Sequence, residues 1–287
     1  MNLEPGARMV SIGDTNLHVV IRGTGFPLIV LHGGPGMDHH EFADYLDSLT
    51  NRFKLILVDQ RGQGRSDPVA ENTLTLADMA LDISRLAKAL RLEKYAVLGH
   101  SFGAFVALGH AIRFPGATTA TILSNGLPSA KYLERVTYNL EIFEPLELRE
   151  QVAASWARET EVQTHLEMSV LMHDQMPFHF ANPRDPRIAE YEQRSAQAKY
   201  APSVLRHFSS AGYGGIEVED QLHTITQPVL VLAGRHDRTC VIEGAQAMAR
   251  GIPNSQLVVF EHSAHMPFVE EQEAYLNAIR GFLEPLI

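Results

Sequence analysis

One serine in this chain sits in a motif that fixes its geometry for acyl transfer. Ser101 is the centre of Gly99-His100-Ser101-Phe102-Gly103. The run before it, residues 95–98, is short and apolar and reads as a buried strand. Residues 102–114 repeat apolar and small side chains at helical spacing. A strand turning straight into a helix around G-x-S-x-G is a nucleophile elbow, in which a strained backbone lifts the serine hydroxyl above the sheet. Gly99 and Gly103 let strand and helix approach each other. The helix start turns its free N–H groups toward whatever Ser101 attacks.

A serine hydroxyl is a weak nucleophile at neutral pH and needs a base oriented by an acid. In a strand–helix alternation the order along the chain is serine, acid, histidine. Asp237 follows the apolar run 228–233 and is the expected acid. Residues 261–267 hold two histidines. His265, at the loop's end before Pro267, is the expected base, with His262 as the loop alternative. The tetrahedral intermediate needs two backbone donors for its oxyanion. Phe102 N–H, next to the nucleophile, and Gly34 N–H, in His32-Gly33-Gly34-Pro35-Gly36, are the expected pair. Cys240, the only cysteine, reads as a packed thiol.

Other chemistries find little support. There is no H-E-x-x-H and no paired C-x-x-C, so no metal site of the zinc kind is expected. His39-His40 reads as a solvated helix start. Arg61-Gly62-Gln63-Gly64-Arg65 lacks the lysine of a phosphate loop. Its arginines, with Asp67, are expected to form an ion-pair and turn network.

Positioning these residues requires a mostly parallel, doubly wound sheet. Strands are expected over 9–12 and 17–22, joined at Gly13-Asp14, and over 28–31, 53–58, 95–98, 119–123, 228–233 and 256–260. Helices are expected over 38–49, with Phe42, Tyr45, Leu46 and Leu49 on one face, over 75–90 behind a capping box at Thr75, over 102–114 and 242–250, and from Pro267. Sites in such sheets lie beyond the strands' carboxyl ends, where each residue named above falls. The pattern changes over 126–222, where helical segments (130–143, 147–171) alternate with irregular runs around Pro177, Pro183, Pro186 and Pro202. This reads as an inserted helical lid between core segments 1–125 and 223–287. Gly33 and the lid aromatics Trp156, Phe178 and Tyr213 are expected against the substrate, and residues 212–215 read as a flexible joint.

The chain has 287 residues, 45% apolar and 20% charged, enough for a large core. Its net charge of −10, without a Lys/Arg run, argues against nucleic acid or an anionic membrane as partner. No apolar stretch of about 18 residues suggests a membrane span. Residues 1–10 lack the apolar region of a signal peptide, and one cysteine suits a reducing compartment, so a cytoplasmic protein acting on a small-molecule substrate is expected.

With these residues placed, the whole chain resembles an α/β-hydrolase-fold enzyme. Two strings, His32-Gly33-Gly34-Pro35-Gly36 and Asp59-Gln60-Arg61-Gly62-Gln63-Gly64-Arg65-Ser66, are similar to the signature of the proline iminopeptidase family of serine aminopeptidases. His265-Met266-Pro267 resembles that family's C-terminal end. The resemblance implies Ser101 as nucleophile, Asp237 as acid, His265 as base, and release of an N-terminal residue, often proline, from short peptides without a cofactor. Phe102 departs from the tryptophan often found there. The family's lid glutamates, which bind the free amine, have no matching motif among Glu134, Glu141, Glu144, Glu147, Glu190, Glu192 and Glu217. The same machinery would serve a carboxylesterase or lactonase. A buried lid carboxylate facing the site separates the readings, because a free amine needs a negative partner and an ester does not. The complete set of Ser101, Asp237 and His265 argues against a non-catalytic binding protein.

Overall fold

A computed structural model describes residues 3–287; residues 1 and 2, the outermost part of the stretch read for a signal peptide, lie outside it. The chain opens with a hairpin, β1 (Gly6–Ser11) and β2 (Asn16–Arg22), then alternates: β3 (Phe26–Leu31), β4 (Phe53–Val58), α1 (Leu76–Ala89), β5 (Ala96–His100), α2 (Phe102–Arg113) and β6 (Ala120–Ser124). Next come α3 (Glu134–Glu141), α4 (Leu146–Ala157), α5 (His165–His179), α6 (Arg187–Arg194) and α7 (Pro202–Ser210). The alternation resumes with β7 (Val229–Gly234), α8 (Ile242–Gly251), β8 (Ser255–Phe260), α9 (Pro267–Glu270) and α10 (Gln272–Leu283). The 8-stranded sheet runs β1-β2-β4-β3-β5-β6-β7-β8. It is parallel from β4 to β8, with β1 and β2 paired antiparallel at one edge. This is the mostly parallel α/β architecture expected from the sequence.

Continuous apolar strands serve two cores at once, because successive side chains leave a strand on opposite faces. Ile29, Leu31, Val97 and Leu123 pack with α1, α2 and α8. Leu28, Val30, Leu98 and Ile122 pack with the 39–49 segment and α10. Each such side chain, fully buried, contributes roughly 1.5–3 kcal/mol. Thr75 caps α1 as its sequence suggests, accepting from the Asp78 N–H at 3.0 Å. Among the described residues no helix is long and apolar enough to cross a membrane.

Three local expectations are corrected. Residues 38–49 form two 3-10 turns, His39–Phe42 and Asp47–Leu49, not one helix. Phe42, Tyr45, Leu46 and Leu49 are buried as expected, but Ala43 at φ +42 interrupts the helical path. The 147–171 stretch is two helices, because Thr164 and Glu167 form a capping box that starts α5 afresh. Pro177 lies inside α5 rather than in an irregular run. It falls in the last turn, where its missing N–H costs a single helical bond, and buried Met176 and Phe178 hold the turn.

Candidate active site

Ser101 stands between β5 and α2 with φ +52 and ψ −120, a region that non-glycine residues rarely occupy. Its neighbours hold it there: the Ser101 N–H donates to Ser124 O at 2.9 Å, and the Ala104 N–H donates to Ser101 O at 2.8 Å. A Cβ on Gly99 would run into the Gly103 carbonyl, and one on Gly103 into the carbonyls of Leu31 and His32. Only glycine at both positions lets strand and helix meet around the serine.

The loop after β7 carries Asp237 and the loop after β8 carries His265. His265 Nδ1 lies 2.8 Å from Asp237 Oδ2, with Thr239 Oγ1 also 2.9 Å from that nitrogen. The other carboxylate oxygen accepts from the Thr239 N–H (2.8 Å), the Thr239 hydroxyl (2.8 Å) and the Cys240 N–H (3.0 Å). Burial alone would raise the Asp237 carboxyl, but the His265 charge and these donors overcome it and hold it at about 2. Burial likewise opposes the His265 imidazolium, yet Asp237 raises His265 above its ordinary value. Two neutral imidazoles flank it. His100 and His179 have ring centroids 5.0 and 5.1 Å from His265. Burial and the His265 charge push His179 down to about 3 and His100 well below its usual range. The alternative His262 is exposed, as is His236 beside Asp237.

Ser101, His265, Phe102 and Gly34 all line one cavity, of about 90 Å³. Phe102 is the first residue of α2, so its N–H has no carbonyl one turn back. Gly34, at φ +106, brings bare backbone to the cavity. Gly33 does not offer its N–H, which donates to Glu41 Oε2 at 2.6 Å. Trp156 and Tyr213 reach the cavity from the helical stretch between β6 and β7, whereas Phe178 does not. Phe178 is fully buried and its ring meets Phe143 and Trp156 at 5.3 and 5.8 Å, so it backs Trp156 instead of touching a ligand.

Three residues at this site had no sequence motif to mark them. Glu159 follows α4 and lines the cavity, 5% exposed. Its carboxylate accepts from Gln175 Nε2 at 2.8 Å and from the Tyr213 hydroxyl, both neutral groups. Burial raises it above the usual carboxylate range despite those two bonds. Glu41 lines the cavity beside the Gly33-Gly34 turn. Asn125, at φ +49 after β6, donates to Asp237 Oδ2 at 2.8 Å and to Ala264 O at 3.1 Å.

The polar strings near the site are structural. Arg61 is 2% exposed and paired with Asp82 (2.6 Å) and Asp14 (3.1 Å), Arg65 pairs with Asp38 (2.6 Å), and Asp67 accepts from Asn16 (2.7 Å). His39 is buried against Asp59 at 2.6 Å, which corrects its expected solvation. Ligand-type atoms of His18, His39 and Asp59, of Asp38, His39 and His40, and of Asp237, Cys240 and His265 lie within 4.8 Å of one another. In each group the carboxylate already accepts several protein hydrogen bonds. Burial keeps Cys240, beside the Ser101 hydroxyl, a thiol rather than a reactive thiolate.

Residues 27–272 match the family described as alpha/beta hydrolase fold. The proline iminopeptidase of Clostridioides difficile (strain 630) is 32% identical over 271 residues, covering 90% of this chain and 89% of its own. Among solved structures, a Mycobacterium smegmatis proline iminopeptidase superposes with TM-score 0.76 at 24% identity, covering 98% of both chains. An Exiguobacterium antarcticum esterase superposes with TM-score 0.77 at 23% identity, covering 98% of this chain and 100% of its own. At these identities the two superpositions speak to the fold alone.

Proposed function

The chain is a hydrolase belonging to the α/β hydrolase fold family, and on that premise we propose that it is a serine aminopeptidase that removes an N-terminal residue, proline-type, from short peptides. In this reading Ser101 Oγ attacks the carbonyl carbon while its proton passes to His265 Nε2. Asp237 holds the ring by Nδ1 and stabilises the imidazolium that forms. The oxyanion takes hydrogen bonds from the Phe102 and Gly34 N–H groups. Collapse breaks the scissile C–N bond, and the departing amine takes the proton back from His265. A water then repeats the sequence on the acyl-enzyme, releasing the acid and freeing Ser101. Helices between β6 and β7 act as the lid over this chemistry.

Glu159 carries the choice of substrate class. A buried carboxylate whose partners are neutral leaves negative charge to be met in the cavity, and a substrate's free α-ammonium would meet it. An ester has no such group. The cavity volume suits one residue: a buried water needs roughly 10–15 Å³, so about 90 Å³ is the space of several waters. A carboxylesterase acting on small esters is the second reading, supported by the apolar walls that Trp156, Leu133 and Val136 give the cavity.

The deciding measurement is kcat/KM for a prolyl arylamide, its N-acetylated form and a short-chain aryl ester, with Ser101→Ala as blank. The aminopeptidase reading expects turnover of the free amine, loss on acetylation, and a fall of about 100-fold in Glu159→Gln for the arylamide but not the ester. Turnover of the ester alone would overturn it in favour of the esterase. His265→Ala should be severe and His262→Ala mild.

A further inference from the structure

The Ser101 cavity shares a wall with a second, larger chamber. Met37, Glu41, Met172, Met176 and Tyr191 line both spaces. The second chamber lies between α5, the C-terminal part of α6 and residues 195–200, and measures about 380 Å³ against about 90 Å³. Beyond the shared wall its lining is largely polar, with His165, Ser169, His173, Glu192, Ser195 and Tyr200. It reaches the surface where His173 and Val170 stand, the first with its side chain 66% exposed and the second 45% exposed. Neither Ser101 nor Glu159 lines it.

The wall is built from yielding side chains. Three of its residues are methionines, unbranched and able to change rotamer at small cost, so a ligand can part them without moving a helix. Glu41, held at the neck by the Gly33 N–H, and Tyr191, whose buried ring packs against Tyr45 and Phe268, are the wall's fixed parts. The two sets of lining residues thus differ. Glu159, Trp156 and Tyr213 line the Ser101 cavity alone, whereas the methionines also border a polar space with an outlet.

We infer that the second chamber is a leaving-group subsite, holding the peptide beyond the scissile bond. The inference rests on the aminopeptidase reading above. If the substrate's α-ammonium sits at Glu159, its first residue fills the cavity of about 90 Å³. The rest of the chain then needs a second space, and the methionine neck borders one. A peptide carries one donor and one acceptor per residue, which an apolar wall would leave unpaired. The second chamber supplies hydroxyl, imidazole and carboxylate partners on its way to solvent. The ligand it takes is therefore an extended peptide segment of a few residues, released as the amine product. A leaving group as small as ammonia or an arylamine does not need the chamber.

The test compares kcat/KM for a tetrapeptide, Pro-Ala-Ala-Ala, with that for prolinamide, in the wild type, Ser169→Trp and Ala196→Trp. Ser169 is half-buried and Ala196 exposed, on opposite walls, so a variant that fails to fold leaves the other as the test. Filling the chamber should lower the tetrapeptide-to-prolinamide ratio about tenfold or more, chiefly through KM. An unchanged ratio in the folded variants would overturn the subsite while leaving the aminopeptidase standing. Failure of the wild type on both substrates would overturn the aminopeptidase reading, and this inference with it.

Discussion

Glu41 makes the fold sensitive to pH in a definite direction. Burial pushes its carboxyl from an ordinary 4.5 up to about 7, against the pull of the Gly33 N–H and the His265 charge. Between those values the native chain keeps a proton that the unfolded chain has lost. Glu41's contribution is therefore greatest at low pH, declines as pH rises through that window, and is constant above it. Glu41→Gln should flatten this part of the profile, so its urea midpoint should fall less than the wild type's between pH 5 and pH 8. Equal falls would count against the assignment. Asn125 belongs to the same scale. It touches no substrate, but it ties Asp237 to the carbonyl of Ala264, the residue before His265. Asn125→Ala should cut kcat about 10–100-fold with little change in KM, because the acid and the histidine loop lose their common anchor. Ser101 was readable because a nucleophile elbow is encoded within five consecutive residues. Asp237 and His265 were readable because their order after strands is restricted. Glu41, Glu159 and Asn125 carry no such local signature. Only tertiary packing gives them their positions.

Elements were legible where one physical rule governed them. The apolar strands β3, β5 and β7 could be neither exposed nor helical at their length. The capping box at Thr75 marked a helix start through local hydrogen bonding, and Pro267 marked that of α9 through its fixed φ and missing N–H. The 38–49 segment misled because burial at helical spacing does not require a helix: two 3-10 turns bury the same side chains. Gly234, at the end of β7, shows how tightly elements meet near the site. A Cβ there would strike the Ala264 carbonyl. Gly234→Ala should cost about 1–3 kcal/mol in the urea midpoint and lower kcat as well, since the histidine loop must shift. Preserved stability and kcat would mean that this loop can yield.

The helical stretch is fastened to the sheet at both rims of the cavity. The Ala201 N–H donates to Gly36 O at 2.8 Å, and the Lys199 N–H to Asp38 Oδ2 at 2.9 Å. On the other rim, Arg238 donates to the carbonyls of Phe178 (3.1 Å), Phe180 (2.7 Å) and Ala181 (3.3 Å), and the His265 N–H to His179 O (2.9 Å). Residues 212–215, read from sequence as a joint, run left-handed at every position, and Tyr213 in their midst is bonded to Glu159. Any opening that carries Tyr213 away has to break this hydrogen bond. Arg238→Ala should cost about 1–3 kcal/mol, because it leaves part-buried carbonyls without a partner. Native-state hydrogen exchange should speed up at the His265 amide, and unchanged exchange there would show that the two layers stay together without the arginine.

The sheet order has a consequence for the chain as it is made. The proposed nucleophile and both proposed oxyanion donors belong to the first 102 residues, while Asp237 and His265 arrive after β7 and β8, beyond β6 in the sheet. A ribosome delivers the N-terminal strands first, at about 5–20 residues per second. The elbow can therefore form many seconds before the proposed base exists. On the proposed mechanism, the nascent polypeptide carries throughout that interval a serine without the histidine that would take its proton. A peptidase of that kind would stay silent toward neighbouring peptides until the last two strands dock.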